Sequence, residues 1–214
     1  MNEIIQLKIS DIFLILFITL GPIKVILPFE HVTKGLVFKF KLNVALRATL
    51  ISGIILILLI FIGTNFIKKW HISEMAISFT LGLVLLMQAL ALIKGNPTQM
   101  EMKTNLNKSS FLEKPHFNML AYTLIAPYII TPAGIVTVLC VRIMSIGDYN
   151  IERILIVSLL IILICNMLIM VVTPWIIKCI SSTVIQIVGW VFSIFQFILA
   201  IQIIMNVLYR TKII

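Results

Sequence analysis

Six long runs of apolar residues divide this chain, at about 9–28, 44–67, 75–93, 117–144, 151–177 and 184–208. Each approaches or exceeds the roughly 20 apolar residues that an α-helix needs to cross a bilayer. That feature constrains the fold more than any other. Hydrophobic residues make up 61% of the 214 and charged residues only 12%. A soluble domain runs near 45–50% apolar and about 25% charged. One aqueous core cannot hide that much apolar surface, because a domain of this size still exposes much of its area to water. A transmembrane β-barrel would need short alternating strands, and the runs do not alternate. The expected fold is an all-α membrane protein with six transmembrane helices and the lipid bilayer as its principal partner.

The charge pattern agrees with this reading. Seventeen basic and eight acidic residues give a net charge of +9. In a soluble protein that excess suggests nucleic acid. Here the basic residues sit between apolar runs, as in Lys68-Lys69-Trp70, where they anchor helix ends and meet anionic lipid; no nucleic acid is expected. Cys140, Cys165 and Cys179 lie in or beside apolar runs with no Cys-x-x-Cys, and read as small apolar residues. The first run carries Asp11 and no small-residue cleavage site, so it is expected to remain as a helix and not to be removed as a signal.

The long polar segment separates two similar halves. The expected organisation is a first three-helix repeat at 1–94, a polar linker loop at 95–116 and a second three-helix repeat at 117–214. Pro22 and Pro132 each interrupt the first helix of a half, and Gly82 and Gly189 each lie in its third helix. The proline-to-glycine spacings are 60 and 57 residues. Three helices per half is an odd number, so the second half must enter the membrane from the opposite side. That is the inverted-repeat arrangement of many secondary transporters. Spacing alone leaves a repeat and a coincidence equally open. Nine basic residues in the first, third and fifth loops against seven on the other side put both termini outside by the positive-inside rule.

The interruptions at Gly21-Pro22 and Thr131-Pro132-Ala133-Gly134 carry the chemistry. Proline removes a backbone donor and clashes with the preceding turn. In lipid, the carbonyls and N–H groups so freed must find partners in the protein or in a wet cavity. Half-helix ends also attract ions, carboxylates at the N-terminus and cations at the C-terminus. The alternative is a pair of packing kinks. Lys24 is the one charge well inside an apolar run. It reads either as a pocket cation or, with more weight, as a side chain snorkelling past Pro28 to the interface. Gln88, Thr137, Asn166, Gln196 and Gln202 are polar groups within helices, individually best read as interhelical hydrogen bonds. Gly82, Ala89, Gly189 and Ala200 read as close helix contacts. The expected substrate-binding set is Gly21, Pro22, Lys24, Gln88, Thr131, Pro132, Ala133, Gly134 and Gln202.

No carboxylate lies deep in an apolar run, and His31, His71 and His116 fall in or beside loops. No nucleophile has a base at usable spacing. No enzyme, resident metal or cofactor is expected; an ion such as Na+ is the candidate for coupling.

Leu20-Gly21-Pro22-Ile23 through Pro28-Phe29 resembles the Asn-Pro-[Ile/Leu]-Gly-Asn-x-Pro-x-Phe signature of the MarC family of six-helix bacterial membrane proteins. Ala45-Leu46-Arg47-Ala48 is similar to the start of that family's second helix. Ile125-Ala126-Pro127 with Thr131-Pro132-Ala133-Gly134-Ile135 resembles its Ile-Pro-x-x-Ala-Gly-Pro-Gly-Ala-Ile signature. The stretches from Gly82 to Gly95 and from Gly189 to Asn206, with Ala200-Ile201-Gln202, are similar to its third and sixth helices. The chain departs from the family at Gly21, Lys24, Val25, Ala91 and Thr131–Gly134. The resemblance implies a 3+3 inverted fold related to the LysE-type transporter superfamily, set in the bacterial inner membrane. It also implies kinship with transporters of small neutral amino acids. The expected function is secondary transport of a small neutral solute, a small amino acid foremost, with homo-oligomerisation open. The alternative is a non-transporting membrane component that acts through helix–helix partners.

Overall fold

The computed structural model describes residues 9–93, 123–145 and 149–211, and among them every regular element is helical. In chain order they are α1 (Ile9–Leu20), α2 (Ile23–Thr33), α3 (Phe38–Lys69), α4 (Glu74–Ile93), a π-helical turn (Ile125–Ile129), α5 (Pro132–Met144), α6 (Tyr149–Cys179) and α7 (Ser182–Arg210). Five segments are long and apolar enough to cross a bilayer: Ser10–Thr33, Phe38–Lys69, Glu74–Ile93, Tyr149–Cys179 and Thr183–Arg210. Helix α5 is shorter, and residues 94–122 before it, including the expected linker, lie outside the described residues. This is a multi-pass membrane protein.

Two helices run through prolines at which a stop is the first expectation. Helix α2 continues past Pro28 to Thr33. Phe29, Val32 and Thr33 are all buried there, so packing outweighs the lost backbone bond. Helix α6 likewise runs through Pro174 to Cys179. Helix α3 starts six residues before its apolar run and takes in Lys39 and Lys41. Lys41 pairs there with Glu30 of α2 at 3.4 Å.

The halves are intertwined. Helices α1 and α2 pack on α6, while α5 and the π turn pack on α3. The α1 helix meets α5, and α2 meets the π turn. The largest interface joins α4 to α7, and α3 joins α6. One core gathers Ile12, Leu16, Phe29, Leu56, Ile129, Leu159 and Met170 among α1, α2, α3, α6 and the π turn. A second gathers Leu81, Leu85, Cys140 and Ala200 among α4, α5 and α7. The outer faces of α3, α6 and α7 expose Leu58, Phe61, Ile62, Ile164, Trp175, Phe195 and Ile198. So much contiguous exposed apolar surface suits lipid and not water. The three cysteines are unbridged.

Gly82 lets α4 approach α7. A Cβ there would lie 3.2 Å from the Ala200 carbonyl oxygen and press on Ile204. Gly82→Ala is therefore expected to destabilise the folded state by about 1–3 kcal/mol, the usual range for overpacking. A thermal melt of the detergent-solubilised protein checks this; an unchanged midpoint would mean that the two helices separate at no cost. Gly189 does not share that role. A Cβ built on it meets nothing within 4 Å. The expectation of a close contact there is corrected, because this face of α7 borders a cavity.

Candidate functional site

Helix α1 ends at Leu20 because Gly21 and then Pro22 follow, and proline has no N–H to offer the preceding turn. The last carbonyls of α1 thus lose their intrahelical partners. Side chains from elsewhere replace them. The Thr131 hydroxyl donates to the Thr19 carbonyl at 3.0 Å, and the Lys24 ammonium approaches the same oxygen at 3.4 Å. The Asn166 amide donates to the Leu20 carbonyl at 3.0 Å. Thr131 and Asn166 belong to the second half of the sequence, so that half completes the backbone hydrogen bonding of the first.

The junction before α5 is built differently. The π turn closes with the Ile130 N–H donating to the Ile125 carbonyl at 2.7 Å. Thr131 is then extended and caps α5, accepting from the Gly134 N–H at 2.9 Å, with Pro132 in the first turn. Proline is pre-set for that position. The single Thr131 hydroxyl therefore works twice, as acceptor for α5 and donor to α1. Gly134 packs so closely on Leu20 that a Cβ would overlap that side chain. The two junctions meet directly.

Beside them lies a cavity of about 370 Å³, bounded by α1, α2, the end of α4, the α5 junction and α7. Its walls are largely apolar, with Phe17, Leu27 and Trp190 prominent. Of the expected site residues, Gly21, Lys24, Gln88, Thr131 and Pro132 line it. Pro22, Ala133 and Gly134 are buried next to it and do not line it. Gln202 lies elsewhere: it is exposed on α7 and donates to the Asn206 side chain at 3.1 Å. The residue in its place is Gln196, fully buried. At 3.6 residues per turn, six residues carry Gln202 about 240° around the helix from Gln196.

Lys24 does not snorkel past Pro28. Its ammonium turns back toward the junction and donates to Gln196 Oε1 at 2.8 Å. Side chains on a helix lean toward its N-terminus, which here means toward Thr19 and away from Pro28. Gln196 is fixed in turn, because its Nε2 donates to the Leu85 carbonyl at 3.2 Å. One chain of hydrogen bonds thus links α2, α7 and α4. Among the described residues, no carboxylate pairs with Lys24. Gln88 Oε1 and Asn166 Oδ1 are buried with no hydrogen-bond partner. Thr137, buried on α5, donates to the Ala133 carbonyl at 2.8 Å.

The expected set omitted Gln186, Ser193, Gln196 and Tyr128, of which all but Gln196 line the cavity. A signal for the first three was present. Gln186, Gly189, Ser193 and Gln196 recur at steps of three, four and three, which places them on one helical face. Tyr128 had no such signal. Among the described residues, no group of three or more His, Cys, Asp or Glu side chains is arranged to hold a metal.

A family model described as MarC family integral membrane protein matches residues 7–211. No curated protein and no solved structure matches the chain.

Proposed function

This chain belongs to the MarC family of integral membrane proteins, and on that premise we propose that it is a secondary transporter of a small neutral solute, a small amino acid foremost. The observation that carries the reading is the cavity where the α1–α2 and π turn–α5 junctions meet. A zwitterion finds complementary groups there. Its carboxylate faces the Lys24 ammonium and the N–H groups of Ile23 and Lys24, which open α2 and have no preceding carbonyl within it. Its ammonium faces Gln88 Oε1, a buried acceptor without a partner. The apolar wall takes a short side chain. No bond is made or broken, so the protein is not an enzyme in this reading.

The same reading makes 1–94 and 117–214 inverted repeats joined by the 95–116 linker, with the first and fourth spans each broken. The pairing of elements supports it. A two-fold axis that exchanges the halves turns the α1–α6 and α2–α6 contacts into those of the π turn and α5 with α3. It turns the α1–α5 contact into that of the π turn with α2, and maps α4–α7 and α3–α6 onto themselves. Contact between the leading part of one broken span and the trailing part of the other means that the two run antiparallel, as opposite insertion requires. The chain then sits in the bacterial inner membrane with both termini outside.

The test is uptake of labelled glycine and alanine by liposomes that contain the purified protein. Flux above that of empty vesicles is expected. Its absence, with folded protein present in both orientations, would overturn this choice of solute. Pro22→Ala and Pro132→Ala are expected to lower flux at least tenfold while moving the melting midpoint little, because the first restores a donor to the last turn of α1 and the second loosens the pre-set first turn of α5. Unchanged flux in both would remove the junctions from the site.

A further inference from the structure

We infer that Lys24 is a built-in counter-ion: its ammonium occupies the cation position at the carboxyl end of α1, so that solute binding at this site needs no Na+. This rests on the transport reading above for its consequence, but not for its geometry.

The C-terminal end of a half-helix carries the negative end of the helix dipole and free carbonyl oxygens, and in broken-helix transporters that is where a coupling cation binds. In this chain, side chains fill that end. Asn166 takes the Leu20 carbonyl at 3.0 Å, and Thr131 takes the Thr19 carbonyl at 3.0 Å. The remaining approach to the Thr19 oxygen is taken by Lys24 Nζ at 3.4 Å. A second oxygen, Gln196 Oε1, holds the ammonium at 2.8 Å. Gln196 is no casual neighbour. It is fully buried, and its other end is tied to the Leu85 carbonyl at 3.2 Å, so its oxygen is held toward Lys24.

The charge is also unspent. Among the described residues, none that lines the cavity is acidic, and Lys24 is the one charged lining residue. A solute carboxylate therefore meets a fixed positive charge that rests on backbone and amide oxygens, the same arrangement that a bound alkali ion would supply. A charge within a membrane segment is expensive and points to function when it faces a cavity. An ammonium tethered to α2 cannot dissociate, so it confers a carboxylate site without a coupling ion.

Two measurements test this with the full-length protein in detergent and in liposomes. The melting midpoint is recorded in NaCl and in choline chloride of equal concentration, for the wild type and for Lys24→Ala, which vacates the position. The wild type is expected to melt at the same temperature in both salts. Lys24→Ala is expected to gain a saturable, Na+-specific rise of several degrees. A saturable Na+-specific rise in the wild type, or none in Lys24→Ala, would overturn the assignment. A substituted protein that does not fold in either salt is replaced by Lys24→Met, whose expected result is a wild-type-like indifference to Na+. A rise with Na+ in that variant would equally overturn it, since the long side chain still fills the space. Glycine flux into liposomes is then compared with Na+, K+ or choline outside, and is expected to agree within twofold for the wild type. Flux that requires Na+ would overturn the proposal. No flux with any cation, alongside the expected melting behaviour, would overturn the choice of solute made above and leave the counter-ion in place.

Discussion

Gly21→Ala is expected to destabilise the folded state by on the order of 3 kcal/mol and to lower the melting midpoint by several degrees. A Cβ at this position would overlap the Phe17 carbonyl oxygen, which is backbone and cannot swing aside. The chain cannot escape into continuous helix either. Pro22 follows, and proline disfavours the helical conformation in the residue before it. Any relief must shift the end of α1. That would draw the Thr19 and Leu20 carbonyls away from Thr131 and Asn166, groups with no water to replace them. Size-exclusion of detergent extracts and a thermal melt measure the effect. Gly189→Ala is the matched control, since a Cβ there meets nothing within 4 Å. It should melt as the wild type does. Equal midpoints for the two variants would show that the Gly21 contact relaxes without cost.

Thr131→Val is the second large effect. Valine keeps the shape of threonine and removes only the hydroxyl. The Gly134 N–H then loses its cap, typically worth about 1 kcal/mol. The Thr19 carbonyl loses a buried donor, which costs about 1–3 kcal/mol more. The sum is about 2–4 kcal/mol, and Thr131→Ser should recover most of it. A denaturation series in mixed micelles compares the three proteins. If valine and serine fall within about 0.5 kcal/mol of each other, the hydroxyl's two bonds contribute nothing net.

Much of the architecture was legible in the residues. Five of the six apolar runs reappear as helical spans with ends a few residues away, and the described part of the fourth is the π turn with the shorter α5. Those shifts follow local physics: α3 extends into its lysines because Lys41 finds Glu30, and α2 passes Pro28 because Phe29 and Val32 are buried beyond it. The family was legible as well, carried by the signature-like stretches around Pro22 and Pro132 and matched across 7–211. The site residues were legible only in part. The glycine and proline junctions announce themselves, because few other residues stop a helix within an apolar run. Polar residues in helices do not, because each can equally bond a neighbour. Gln202 and Gln196 look alike in the sequence, yet one is exposed beside Asn206 and the other holds Lys24.

Hydropathy and proline chemistry, read along the chain, were enough to place it in a membrane and to locate its helices. Both depend on hydropathy, on chain length and on the missing N–H of proline, all local properties. What satisfies the freed backbone, and which way Lys24 points, follow from the packing of distant helices. Thr131 reaches Thr19 across 112 residues of sequence, Asn166 reaches Leu20 across 146, and Lys24 reaches Gln196 across 172. Partnerships at such separations are set by how helices from the two halves interlock. In lipid, where an unpaired carbonyl has no water to turn to, that interlocking fixes the site.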